Sequence, residues 1–430
     1  METLVLESLQ PHDNLLNIYI GGHKGPSCPT WLDSNNLSLK ALKSLRLNDV
    51  AWRNLPSLGQ MWVLNELSLE RIRTLNEFGP NHFGLITEQS FCNLKRLTLA
   101  RLERLENWVV GDAPHLFSGL QVLTIEACPE LLELPFMTNM HFLPNLQVFK
   151  IKECPKLMGF PPIPWTHTLS EINIRYVGCL HQLLYSKSSY GVRLEINGDS
   201  DESRVEEMII VSSNLTELQE LVMYDGPPLV LTDLKRLTSL KVLSLVSCKV
   251  LAGAMGESGW QVPIETLDIT SCDVSGKVLT QLLCGLTRLR ELILHYCGRK
   301  ITRLDVVAKM RQRPSSSADE SEDRQATDLH QQRAAEEDEY QGGDDGLLLL
   351  PSHFTDCLQM LDIRECRELT LIAATSLHLG HKRENRDGGF QALRSLRQLN
   401  IYSCPKLLSA YSVSTVPAAE YFPTTLTRKF

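Results

Sequence analysis

An α/β solenoid is the fold class this sequence predicts: a horseshoe with a parallel β-sheet on its concave face and loops and short helices on its convex face. Three observations predict it. The first is the stretch Asn145–Leu157, NLQVFKIKECPKL, where Leu146, Phe149 and Ile151 stand in the order apolar-x-x-apolar-x-apolar. Cys154 follows three residues after Ile151, and Leu157 three after that. This spacing is the leucine-rich-repeat signature, L-x-x-L-x-L-x-x-N/C-x-L. The second is recurrence, because the same core returns fourteen times at steps of 22 to 30 residues up to Leu289. The third is the cysteine register, since seven of the twelve cysteines sit three residues after the last core apolar.

The spacing has a physical meaning. Phe149 and Ile151 are two apart, so on a strand they share one face, while Val148, Lys150 and Lys152 share the other. One such strand cannot bury its apolar face without neighbours on both sides. The neighbours are Leu15/Ile18/Ile20, Leu42/Leu45/Leu47, Leu64/Leu67/Leu69, Leu94/Leu97/Leu99 and Leu120/Leu123/Ile125 before that unit. After it come Leu169/Ile172/Ile174, a degenerate Leu194/Ile196, Leu218/Leu221/Met223, Leu240/Leu243/Leu245, Ile264/Leu267/Ile269 and Leu289/Leu292/Leu294. Two more, Leu358/Leu361/Ile363 and Leu396/Leu399/Ile401, follow a long interruption.

The sequence therefore divides into residues 1–310 with repeats one to twelve, 311–346 as an acidic disordered insertion, and 347–430 with repeats thirteen and fourteen and a truncated end. Connections in the first seven repeats carry Pro, Trp and Gly, as in Pro161-Pro162-Ile163-Pro164-Trp165, so loops and short turns are expected there. Gly178–Ser213 is the weakest region, and Val278–Leu286 is helix-compatible. Arg311–Asp345 holds eleven acidic and four basic residues and almost no aliphatic ones, so it cannot bury enough surface to offset ordering. Residues 380–389 form a second, shorter polar insertion, and both ends of the chain look cut.

The formal charge of −8 is mostly that one segment, which argues against a nucleic-acid partner needing a basic stripe. Met1–Gln10 has no basic region before its apolar part, and no run approaches the ~18 apolar residues of a membrane span. A cytoplasmic location is expected. The sequons at Asn36 and Asn214 then read as chance matches.

No chemistry-bearing motif stands out. Cys128, Cys154, Cys248, Cys272, Cys297, Cys366 and Cys404 lie about one repeat apart, unlike the close pairs of zinc sites, and read as a packing ladder rather than a metal or disulfide framework. Cys128-Pro129-Glu130-Leu131, Cys154-Pro155-Lys156-Leu157 and Cys404-Pro405-Lys406-Leu407 continue that rung, with Cys366-Arg367-Glu368-Leu369 a variant. No phosphate loop of the G-x-x-x-x-G-K-[ST] type is present, and Gly253, Gly256 and Gly259 read as a flexible connection. His378 and His381 have no partner ligands nearby in sequence. Catalytic, cofactor and metal residues are accordingly none. The candidate site is instead the outward row of the strands: Asn17, Tyr19, Arg46, Glu66, Arg96, Lys150, Lys152, Asn173, Arg175, Glu220, Tyr224, Asp268, His295, Arg364, Asn400 and Tyr402. Tyr and Arg are common interface anchors, and solenoids bind through this surface. Glu66, Arg96, Lys150, Glu220 and Arg364 alternate in sign, which is expected to favour specificity.

The opening stretch Leu6-Glu7-Ser8-Leu9-Gln10-Pro11-His12-Asp13-Asn14-Leu15, then Ile18-Tyr19-Ile20-Gly21-Gly22 and Cys28-Pro29-Thr30-Trp31-Leu32, resembles the LEGLQPHxNLxxLxIxGYxGxxxPxWL segment of plant nucleotide-binding leucine-rich-repeat immune receptors. Leu42–Asn48 with Leu55-Pro56-Ser57-Leu58-Gly59-Gln60 resembles their LxxLxLxxCxxCxxLPxLGxLPxL pattern, though both cysteines are absent and Met61-Trp62 replaces Leu-Pro. The Cys-Pro-x-Leu units are similar too. The resemblance implies the protein-recognition module of an intracellular immune receptor, acting in effector sensing and in autoinhibition of a nucleotide-binding switch. Its implied partners are a pathogen effector or host protein and the parent receptor's nucleotide-binding domain, with no nucleic acid. The coiled-coil and nucleotide-binding portions of that family have no counterpart in this sequence. A leucine-rich-repeat adaptor outside immunity is the alternative.

Overall fold

The computed structural model describes residues 2–32, 39–110, 115–135, 143–157, 166–178, 180–198, 215–226, 228–251, 261–297, 300–306, 345–372 and 389–409. The expectations for the acidic stretch before Asp345, for residues 380–388, for Gly253, Gly256 and Gly259, for His378 and His381, for Asn36 and Asn214 and for the chain after Ser409 fall outside those residues. The chain forms two compact units, Met1–Pro227 and Pro228–Phe430.

In the first unit the repeat cores become the strands β1 (Asn17–Gly21), β2 (Ser44–Asn48), β3 (Glu66–Glu70), β5 (Arg96–Ala100), β7 (Val122–Glu126), β8 (Val148–Cys154), β9 (Glu171–Val177), β11 (Gly191–Asn197) and β12 (Glu220–Tyr224). Two short strands, β4 (Glu77–Phe78) and β6 (Asn107–Trp108), pair with each other on the connecting side. Burial alternates as the period-two pattern requires: Phe149 and Ile151 of β8 are buried and Lys150 is exposed. Neighbouring strands pair parallel with like positions opposed, as in Leu45↔Leu67, Leu67↔Leu97 and Leu97↔Leu123. Inward rows therefore stack as ladders of branched aliphatics. The first core is looser than expected, because Leu15 is 36% exposed.

The repeat pattern missed one strand within the sheet that the repeat cores build. β10 (Leu180–Ser188) stands between β9 and β11 and runs antiparallel to both, so the sheet is parallel except there. Gly178–Ser213, the weakest region by sequence, thus holds a strand beside the degenerate Leu194/Ile196 core, while residues 199–213 fall outside the described residues. Leu183 and Tyr185 supply the two-residue alternation without the L-x-x-L lead, and they pair with Ile174/Ile196 and Ile172/Leu194. Gly191, at φ 139°, closes the second turn in a conformation that side chains disfavour. Burial pushes the Tyr185 hydroxyl up to about 12.

In the second unit the cores become β14 (Val242–Val246), β16 (Thr266–Thr270), β17 (Glu291–His295), β20 (Met360–Arg364) and β22 (Gln398–Tyr402), paired parallel in that order. Short connecting-side strands β13 (Leu229–Val230) and β15 (Val250–Leu251) form a pair, while β18 (Arg303–Val306), β19 (Leu347–Leu350) and β21 (Thr370–Leu371) form a three-stranded parallel sheet. The four leucines 347–350 are thus a strand. The helix Gly276–Cys284 begins two residues before the expected stretch, capped by Ser275, whose hydroxyl accepts from the Val278 amide. That helix holds β19. Gly276 N–H donates to the Asp345 carbonyl at 2.7 Å, and the Leu349 amide donates to Thr280 Oγ1 at 2.9 Å. A Cβ on Gly276 would meet the Leu347 carbonyl oxygen at 2.4 Å, so only glycine allows this approach.

Most rungs leave their strand in the same way. The residue after the strand is left-handed: Gly22, Asp49, Arg71, Arg101, Ala127, Asp225, Ser247, Ser271, Tyr296, Glu365 and Ser403 all have φ between 44° and 71°, as do Glu153 within β8 and Tyr176 within β9. Its amide extends the ladder, as in Asp49 N–H to Glu70 O (2.9 Å) and Ser247 N–H to Thr270 O (2.8 Å). The next side chain then turns inward, and here stand the cysteines. Cys297 Sγ lies 3.3 Å from His295 O in its own rung and 3.4 Å from Ile269 O in the preceding one. Cys366 repeats this with Arg364 O and Leu294 O, and Cys404 with Tyr402 O and Ile363 O. The ladder cysteines are free thiols, all buried except Cys272, which is partly so. Burial pushes the Cys272 thiol up to about 12, and a hydrogen bond to the neighbouring Cys297 thiol does the same for Cys366, aided by burial.

Candidate functional site

The outward residues form three rows, because each five-residue strand presents positions one, three and five away from the core. The central row of the first unit runs Tyr19, Arg46, Ser68, Thr98, Thr124, Lys150, Asn173. The leading row includes Asn17, Ser44, Glu66, Arg96, Val122, Val148 and Glu171. The trailing row runs through Glu126, Lys152 and Arg175. On β12, Glu220 leads and Tyr224 trails. In the second unit the central row is Ser244, Asp268, Ile293, Asp362, Asn400, and the trailing row is Val246, Thr270, His295, Arg364, Tyr402.

The single row expected from sequence is therefore not what forms. Glu66, Arg96 and Glu220 lead their strands, Lys150 is central and Arg364 trails, so their signs do not alternate along one line. The structure also pairs most of these charges locally. Arg46 meets Glu66 at 2.6 Å, Lys150 meets Glu171 at 2.9 Å, and Lys152 lies between Glu126 (3.8 Å) and Glu153 (3.0 Å). Glu220 meets Arg193 at 2.5 Å, and Arg175 Nε donates to Asn173. Such exposed pairs are worth roughly 0–1 kcal/mol each. They leave the first unit's face nearly neutral in detail, and two tyrosines stand open on it: Tyr19, whose hydroxyl accepts from Asn48 Nδ2, is 66% exposed and Tyr224 36%.

The densest polar cluster is in the second unit and centres on Asp362, which sequence reading passed over. Asp362 is 4% exposed although it faces outward. Arg364 grips it with Nε at 2.8 Å and Nη2 at 2.7 Å, Asn400 donates at 3.0 Å, and His295 Nε2 lies at 3.4 Å. Burial alone would raise this carboxyl, but the donors from Arg364, Asn400 and His295 outweigh it and hold it below its usual range. Three predicted residues, His295, Arg364 and Asn400, are thus brought together by an unpredicted one. Tyr402 (44% exposed) and Tyr296 (58%) lie beside them, Tyr296 at a left-handed exit position. The available signal was spacing: Asp362 is two residues before Arg364, hence on the same face. Asp268 lies two strands away, accepting from Ser244 Oγ (3.3 Å) and Thr270 Oγ1 (2.8 Å).

Among the described residues, no group of His, Cys, Asp or Glu is arranged to hold a metal ion, and no helix is long and apolar enough to cross a membrane. Parallel rungs, left-handed exits and a thiol ladder define a leucine-rich-repeat solenoid in each unit. Residues 1–72 match the family described as R13L1/DRL21 LRRs. The chain is similar to a putative disease resistance protein of Arabidopsis thaliana, 30% identical over 132 residues that make up 30% of this chain and 9% of that protein. It is also similar to disease resistance protein RGA2 of Solanum bulbocastanum, 29% identical over 138 residues, 30% of this chain and 14% of that one. The chain thus matches only about a tenth of the length of these relatives. Among solved structures, an internalin of Listeria monocytogenes shares 14% identity at a TM-score of 0.29, covering 68% of this chain and 83% of the other.

Proposed function

We propose that this chain is the protein-recognition part of an intracellular plant immune receptor, without catalytic activity of its own, acting in effector sensing and in restraint of a nucleotide-binding switch. One observation carries the reading. Inward positions repeat as Leu45, Leu67, Leu97, Leu123, Phe149 and Ile172, while the central outward positions beside them change as Arg46, Ser68, Thr98, Thr124, Lys150 and Asn173. A sheet that needed only to be solvated would not require such variety, whereas a face that discriminates partners does. The similarity to disease resistance proteins supports the immune setting, and a cytoplasmic location belongs to the same proposal. The recognition residues are the outward set named above, with Asp362 added.

The test joins the chain to a nucleotide-binding portion from a similar receptor and measures the cell-death response with and without effector. Tyr224→Ala and Arg364→Ala are expected to reduce the response or release autoactivity. Glu88→Ala and Lys277→Ala, exposed residues away from the sheet, are expected to do neither. The opposite pattern would refute recognition through the sheet.

A further inference from the structure

The two sheet faces treat their carboxylates differently. In the first unit, Glu66, Glu70, Glu126, Glu171, Glu195 and Glu220 each have a Lys or Arg within 4.0 Å. In the second, Asp362 has Arg364. Asp268 and Glu291 are the exceptions among the described outward residues of these strands. Asp268 receives only the hydroxyls of Ser244 and Thr270, and Glu291 only that of Thr266 at 3.2 Å. Both are half-buried. They stand on the adjacent strands β16 and β17, on diagonal positions, since Asp268 opposes Ile293 and Glu291 opposes Thr266. From strand spacing and rise, the diagonal is roughly 8 Å, which one guanidinium between the two side chains can bridge.

The surroundings are apolar in the places a long cation needs. Ile293 lies beside Asp268, Met360 beside Glu291, and Val242 beside Thr266, all facing outward and half-buried. Lys and Arg lay their aliphatic stems on such surface while the head reaches acceptors. Arg is favoured over Lys because its planar fork serves two carboxylates at once. Arg364 is already committed to Asp362, so the nearest cation of the same face is not available to them.

We infer that the second unit's sheet face docks a protein segment presenting a basic side chain, Arg above Lys, whose head sits between Asp268 and Glu291 and whose stem lies on Ile293 and Met360. This rests on the proposal that the sheet face recognises protein, and it names the partner's chemistry. The full chain would be panned against a phage-displayed library of random twelve-residue peptides, and selected peptides measured by fluorescence anisotropy at two salt concentrations. Selected peptides are expected to share Arg or Lys next to an apolar residue. They should lose tenfold or more in affinity to Asp268→Asn/Glu291→Gln, with added salt weakening the wild-type complex. Neutralising two acids elsewhere, Asp338→Asn/Glu339→Gln, should change affinity less than twofold, which separates the site from general charge. Thermal melts of both double variants matching wild type would show that folding is intact. If peptides bind the sheet, losing affinity to Tyr402→Ala or Ile293→Ser but not to the Asp268/Glu291 variant, recognition by the face stands and the basic-partner inference fails. If no peptide is enriched, or none responds to any sheet substitution, both readings fall.

Discussion

At the residue scale, the position that most organises each rung is one that composition hides. The left-handed exit is filled by Asp49, Arg71, Ala127, Ser247 and Tyr296 alike, with a glycine only at Gly22 in that series. Left-handed backbone costs an L-residue roughly 1–2 kcal/mol, and here the cost is met repeatedly because the turn delivers the next side chain into the core. Ser247→Gly is therefore expected to stay within about 1 kcal/mol of wild type, relief of strain offsetting glycine's entropy. Ser247→Val, β-branched at positive φ, should lose more than about 1 kcal/mol. Urea unfolding of both variants checks this. Asp362 gives a second, pH-dependent expectation. Its carboxyl is held below the ordinary 3.8, so the stability it contributes is present above that value and is lost as pH falls through the lower folded value. Asp362→Asn should cost roughly 1–3 kcal/mol at pH 7, and the difference should shrink as pH falls through that lower folded value. A gap that does not shrink as the medium is acidified would mean the loss comes from packing rather than from the charge. The inward Leu and Ile positions were legible because their type repeats, and so was the cysteine ladder. Asp362 was not, because nothing in a sequence says which outward carboxylate will be covered by Arg364 and Asn400.

At the element scale, the strands with the full L-x-x-L-x-L lead were readable, and those without it were not. β10 has the alternation Leu183/Tyr185 alone, and β19 is a run of leucines whose partner β18 lies more than forty residues earlier. A short apolar run cannot be assigned from its own pattern. Here tertiary partners decide: β18 on one side and the amide and hydroxyl of the helix Gly276–Cys284 on the other. This bears on the acidic segment between those strands. A parallel pair needs a crossover of a dozen or more residues. Removing Arg311–Asp345 outright would leave too few to join Val306 to Leu347, and would also take the Asp345 carbonyl from Gly276. Outright deletion is expected to lower the melting temperature by several degrees. Replacing residues 311–344 with a twelve-residue Gly/Ser linker should leave it within a few degrees, since the replaced sequence has little apolar surface to bury. Equal destabilisation by both would show that the acidic sequence itself packs on the fold. Gly276→Ala tests the same junction from the helix side, and the 2.4 Å approach to the Leu347 backbone predicts a measurable loss.

At the scale of the whole molecule, the stability of a repeat stack approximates a sum of unit terms and nearest-neighbour terms. A rung with neighbours on both sides should therefore be worth more than one with a neighbour on a single side. β16 lies between β14 and β17, and its Leu267 is fully buried. β22 pairs only with β20 among the described strands, and its Leu399 and Ile401 are half-buried despite standing at core positions of the repeat. Sequence gives both leucines the same role, so their difference comes from the stack and not from the pattern. Leu267→Ala is expected to cost roughly 2–5 kcal/mol, the transfer of a buried side chain plus an uncollapsed cavity. Leu399→Ala, already partly hydrated, should cost less than about 1.5 kcal/mol, in line with the apolar area it buries. Because long repeat arrays can unfold in stages, the measurement is hydrogen exchange at the amides of β16 and β22 across a urea series. Leu267→Ala should lower protection in β14, β16 and β17 together, whereas Leu399→Ala should lower it in β22 and spread little beyond β20. Equal costs at the two positions, or a loss in β22 that propagates through β16, would show that the second unit behaves as one cooperative core and not as a sum of rungs.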